Sequence, residues 1–176
     1  PYTIAKSRTG GVIGRFMSRT GLDLVAARMF APSKALIEEY TQILEANKNV
    51  APSESRLMAE YVRHAFAPDK TTGLSRRVMI ILLEGEDAIR KVREMAGPIT
   101  MGSGETIRDT FGDYVVDENG KVRYFEPAVL IASDKDETAA TLQLWSRHAA
   151  DGGVLAATMD NSPNQGEWQR TLVLIK

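Results

Sequence analysis

Cysteine is absent from this 176-residue chain, which excludes disulfide staples and thiolate metal centres. Histidine is nearly absent: His64 and His148 are the only two, too few for a histidine-rich metal site. Charge of one sign is missing as well. The net charge of -1 supplies no broad attraction to nucleic acid or to an acidic membrane surface. No aromatic RNA-recognition signature is present either, so nucleic acid is not expected as a partner. No apolar run approaches the ~20 residues of a membrane span, and no signal peptide is visible, which makes the cytoplasm the expected location. The first residue is Pro1 rather than Met, so the N-terminus is expected to be processed or the chain cut from something longer. What is there is ordinary: 43% hydrophobic and 26% charged residues, enough for one globular domain with a real core. We expect that domain over residues 1–150, a polar linker over 151–169, and a strand over 170–176.

Helical spacing of Val12, Ile13, Phe16 and Met17 predicts a helix over 11–19 that stops at Gly21. Residues 23–30 read as a strand. Ser33 is a plausible N-cap for a helix carrying Leu36, Ile37, Tyr40 and Leu44 on one side. A further helix is expected over 53–66, then a loop over 67–75 marked by Pro68, Asp69 and Gly73. Arg77–Leu83 is apolar almost throughout, which predicts a strand buried at the centre of a sheet. A helix over 86–95 ends near Gly97-Pro98, and 98–104 is a glycine-containing connection. Asp117-Glu118-Asn119-Gly120 between β-formers predicts a hairpin over 114–124. A short strand over 128–132 and a helix over 134–149 follow. The mixed order predicts an α+β fold, a ferredoxin-like two-layer sandwich with an antiparallel sheet covered by helices.

Two stretches carry the functional signal. Glu105-Thr106-Ile107-Arg108-Asp109-Thr110-Phe111 is followed further on by Ala128-Val129-Leu130-Ile131-Ala132-Ser133-Asp134. The pair resembles the active-site region of the nucleoside diphosphate kinase family, which reads Gly-Thr-Ile-Arg-Gly-Asp-Phe and then Asn-X-X-His-Gly-Ser-Asp. Members move a phosphoryl group between nucleotides through a phosphohistidine. Such transfer needs positioning and charge neutralisation around the phosphates, and also a nucleophile.

The resemblance implies phosphate contacts from Arg93, Arg108 and Thr100, and a lining of Tyr40, Ser133 and Asp134. Met58 falls nearest to the aromatic platform on which the family stacks the base. The family's first strand ends in Lys-Pro-Asp. Here Thr171-Leu172-Val173-Leu174-Ile175-Lys176 at one end and Pro1-Tyr2-Thr3 at the other divide that strand and its Lys-Pro step between the termini. Lys176 therefore matches the active-site lysine if the last strand docks in the first-strand slot. Docking within one molecule gives a closed monomer, and docking from a neighbour gives a strand-swapped homo-oligomer. The same alignment removes the chemistry. Ile131 stands at the position of the phosphate-carrying histidine, Ala128 replaces the asparagine, Ala132 replaces a glycine, and the orienting glutamate falls near Thr141 or Leu142.

The expectation is thus a nucleoside diphosphate kinase-like domain that has lost phosphotransfer and keeps weak nucleotide or phosphate binding, with Mg2+ arriving alongside the nucleotide and no covalent cofactor. An active kinase using another nucleophile, His64 or His148, and a ligand-free ferredoxin-like interaction module are the alternatives.

Overall fold

In the computed structural model, residues 2–100 and 104–148 are described; the expected linker and final strand, and with them Lys176, lie outside this range. Along the chain run α1 (Tyr2–Ala5), α2 (Thr9–Thr20), β1 (Asp23–Phe30), α3 (Lys34–Ala46), α4 (Pro52–Ala65), β2 (Val78–Glu84), α5 (Ala88–Ala96), α6 (Ile107–Phe111), β3 (Asp113–Val116), β4 (Val122–Glu126) and α7 (Lys135–His148).

Local chemistry sets most boundaries. Ser33 caps α3 by accepting from the Leu36 amide at 3.1 Å, which satisfies one orphan donor of the first turn. Gly21 ends α2 in the left-handed region at φ 65. The two short helices α1 and α6 were not anticipated. α6 carries a signal nonetheless: Thr106 and Asp109 form a complete capping box, and Thr-X-X-Asp is close to its sequence signature.

β1 and β2 pair antiparallel from Asp23↔Glu84 to Phe30↔Val78. Side chains alternate across a strand, and β2 uses both faces. Val78 and Ile80 join a core with Phe30, Tyr40, Leu144 and Trp145 from the side of α3, α4 and α7. Ile81 and Leu83 join a second core built on Val12, Phe16 and Ile107 from the side of α2, α5 and α6. The fold is α+β and ferredoxin-like, with helices against both faces of the antiparallel pair. The hairpin β3–β4 forms as expected. It leans on α4 through Tyr61, whose ring meets Phe125 edge-on at 5.7 Å.

Two expectations need correction. Residues 128–132 are not a strand. β2 is less buried than expected: only Val78 of its seven residues is buried, and among the described residues β1 is its one ladder partner. The reason is the same for both. A strand exists through its partner, and the space between β2 and 127–132 is an open apolar groove of about 390 Å3 among the described residues.

Candidate functional site

The site is built around residues 128–134, held from one side by two arginines. α5 ends at Gly97, which adopts φ 81 and leaves no room for a Cβ against the Thr106 side chain. That close approach brings α6 up to the end of α5. Arg108, on α6, then donates from Nη1 to the Gly97 carbonyl at 2.6 Å and from Nη2 to the Val129 carbonyl at 3.4 Å. Its Nε is buried and has no partner among the described residues. Burial pushes its pKa down to about 10, and the field of Glu54 opposes this only in part. No carboxylate pairs with it at ion-pair distance among the described residues. Arg108 is therefore a partly desolvated cation held by carbonyl dipoles, a state that favours an added anion.

Arg93 sits in the last turn of α5, exposed, and donates from Nη1 to the Ser133 carbonyl at 3.2 Å. The two guanidinium groups thus grip opposite ends of 129–133, with Ile131 midway. Ile131 is half-buried and borders the groove; its side chain has no lone pair with which to attack phosphorus. Ala128 takes φ 58, a left-handed conformation unusual for alanine, while its carbonyl accepts from Thr3 Oγ1 at 2.9 Å. Asparagine tolerates that conformation better than other side chains, so the asparagine expected at this position has a backbone reason as well as a ligand contact.

Ser133 and Asp134 are engaged in holding the start of α7. Asp134 accepts from the Asn49 side chain at 2.9 Å and the Glu137 amide at 2.9 Å. These contacts, the Asn49 amide first, hold its carboxyl down at about 2. Glu137 is buried at 8% exposure. It accepts from Asn47 Nδ2 at 2.6 Å, the Ser133 amide at 2.8 Å and the Ser133 hydroxyl at 2.8 Å. Sequence reasoning missed Asn47, Asn49 and Glu137. Asp134-X-X-Glu137 has the spacing of a capping box and could have marked the glutamate; the two asparagines, just past the end of α3, carry no such signal.

The remaining expected residues scatter. Tyr40 is buried, stacked on Phe66 at 6.4 Å and edge-on to Trp145 at 5.8 Å, with burial driving its phenol pKa far up and the field of Arg108 opposing this; it also borders the same groove as Ile131. Met58 is half-buried against the same core and offers no open platform. Thr100 is exposed in a bend after α5. His64 is exposed near the end of α4. His148 closes α7 with its Nε2 3.4 Å from Glu39. Thr141, near which the resemblance puts the orienting glutamate, has a buried hydroxyl without a partner among the described residues. No group of three or more His, Asp or Glu able to hold a metal occurs among the described residues, and no helix there is long and apolar enough to cross a membrane.

Comparison with known proteins agrees with the motif reading. The sequence profile described as nucleoside diphosphate kinase matches residues 1–145. A curated nucleoside diphosphate kinase of Nitrosospira multiformis is 32% identical over 142 residues, covering 80% of this chain and 82% of that protein. No solved structure matches the chain.

Proposed function

From the premise that the chain belongs to the nucleoside diphosphate kinase family, we propose that it is a nucleotide-phosphate-binding member that does not transfer phosphate. The observation that carries this reading is the pairing of a partly desolvated Arg108, without a carboxylate partner among the described residues, with an aliphatic Ile131 between it and Arg93. The cationic half of a phosphoryl-transfer site persists and the nucleophilic half is gone. Loss of a covalent nucleophile from a working catalytic unit can lower kcat by ~10⁶. The altered side chains Ala128 and Ala132, and the absence of a glutamate at Thr141 or Leu142, remove supporting contacts as well.

Phosphate oxygens would accept from the guanidinium groups of Arg93 and Arg108, and from Lys176 as the family resemblance implies. Magnesium, when bound, screens phosphate charge. It keeps several waters and leans on the nucleotide's own phosphates more than on a protein cage, which fits a site whose carboxylates Asp134 and Glu137 are already engaged by amides and hydroxyls. The role that follows is assembly or regulation, as a homo-oligomer in the cytoplasm.

Calorimetric titration with ATP and magnesium tests the binding half. Saturable binding that weakens at least ~10-fold in both Arg93→Ala and Arg108→Met supports it, since a hydrogen bond to a charged group is worth ~1.5–3 kcal/mol. No heat and no rise in Tm at millimolar ATP would favour a ligand-free interaction module instead.

A further inference from the structure

The loop after α3 reaches the site through one side-chain amide. Asn47 directly follows α3 and is half-buried, and both ends of its side chain are committed. Its Oδ1 accepts from the Asn49 backbone amide at 2.7 Å. Its Nδ2 donates at 2.6 Å to Ser133 Oγ and at 2.6 Å to Glu137 Oε2. These partners allow the amide one orientation. The carboxylate it serves is buried, and no Lys, Arg or His stands at ion-pair distance from Glu137 among the described residues. Neutral donors alone hold it there: Asn47, the Ser133 amide and the Ser133 hydroxyl. A buried carboxylate deprived of a donor is costly and draws in another or water. Without Asn47, the two donors left both belong to Ser133.

Ser133 is also what Arg93 rests on. Its carbonyl accepts from Arg93 Nη1 at 3.2 Å, and among the described residues the Arg93 side chain makes no other hydrogen bond and no ion pair. Arg93 is exposed, and an exposed arginine released from its one partner regains its rotamer freedom. We propose that Asn47 is a positioning residue for Arg93. By holding Glu137, and through it Ser133, it keeps the Arg93 guanidinium at the Ser133 end of 129–133 before an anion arrives. A cation ordered in advance spares the bound state the entropy of fixing one long side chain, so loss of Asn47 weakens ATP binding by about 2- to 10-fold. That gain in affinity rests on the anion-binding reading above; the ordering of Arg93 does not, because it belongs to the free protein.

Two readouts on the full chain test this. In the free protein, NMR relaxation of the Arg93 Nε–Hε group, assigned by its loss in Arg93→Lys, should report an ordered side chain. In Asn47→Ala its order parameter should fall below ~0.6. Asn47→Ser keeps an acceptor for the Asn49 amide but is too short to reach Glu137, and should behave alike if the alanine variant does not fold. Asn49→Ala removes a donor to Asp134 and leaves the donors of Glu137 in place, so Arg93 should stay ordered. In calorimetric titration with ATP and magnesium, Asn47→Ala should weaken binding about 2- to 10-fold, and in an Arg93→Ala background it should weaken it no further. A mobile Arg93 in the unsubstituted chain overturns the proposal without any variant. Undiminished order in both Asn47 variants overturns it too, as does an equal loss of affinity with and without Arg93, which would make Asn47 a support of the fold alone. No ATP binding by the unsubstituted chain would sink the anion-binding reading and leave the order of Arg93 to decide the role of Asn47.

Discussion

Arg108→Met should leave the protein as stable as before, or more so, while removing its response to nucleotide. Burial lowers the guanidinium from an ordinary 12.5 to about 10, equivalent to about 3 kcal/mol against the charged form. Because the folded value lies below the unfolded one, the unfolded chain binds more protons between those two values, and stability rises with pH there. The penalty is fully present below about pH 10 and hence at neutral pH. Methionine escapes it. Against this stands loss of the Nη1 bond to the Gly97 carbonyl, worth ~1.5–3 kcal/mol for a charged donor; the Nη2 contact to the Val129 carbonyl, long at 3.4 Å, adds little. The balance lies between zero and ~1.5 kcal/mol in favour of methionine, a rise in Tm of up to ~5 °C for a chain of this size. Urea unfolding at pH 7, with an unchanged m-value, reads the difference. The rise in Tm with ATP should disappear in the same variant. A loss above about 2 kcal/mol would mean that the guanidinium is already compensated in the free protein, as for a buried pair that loses one partner. The anion-binding reading would then lose its physical basis.

Three other substitutions probe the frame of the site. Ala128→Gly relieves a left-handed alanine and should stabilise by ~0.5–1 kcal/mol in urea, the strain relieved exceeding the added chain entropy; a destabilised variant would show that the conformation is not strained. Gly97→Ala should cost ~2–3 kcal/mol, because the new Cβ overlaps the Thr106 side chain and displaces the cap of α6 in addition to the left-handed penalty; a neutral result would mean that α5 and α6 do not meet as described. Asp134 has its folded pKa held below the unfolded value, so its contribution is full above about pH 4 and fades as pH falls toward 2. Asp134→Asn should therefore lower stability at pH 7 and flatten its decline between those values; a parallel acid limb would count against the Asn49 and Glu137 contacts.

Sequence made the helices legible where periodicity and punctuation agreed, as with Ser33 before α3 and Gly21 after α2. It failed where structure depends on a partner distant in sequence. Val129-Leu130-Ile131 has strand composition, yet it lacks a ladder neighbour among the described residues and does not become a strand. β2 has the composition of a central strand, and the same missing neighbour leaves its outer edge open to the groove. In the site, Arg93 and Arg108 were found from the motif because their spacing to Gly97 and Ile107 is local. Their convergence on 129–133 depends on the left-handed Gly97 and its contact with Thr106, which no periodicity reports. Tyr40 and Met58 both pack into the core of α3 and α4, and of the two Tyr40 also borders the groove beside Ile131.

Incubation of the purified full chain with γ-labelled ATP, GDP and magnesium, quenched in parallel for labelled GTP and for labelled protein, weighs the whole account. With Ile131 at the position of the phosphate carrier, neither product should rise above the rate without protein, although ATP still raises Tm. Labelled GTP together with an acid-labile label on the protein would overturn the loss of phosphotransfer, and loss of that label in His64→Ala or His148→Ala would then locate the nucleophile.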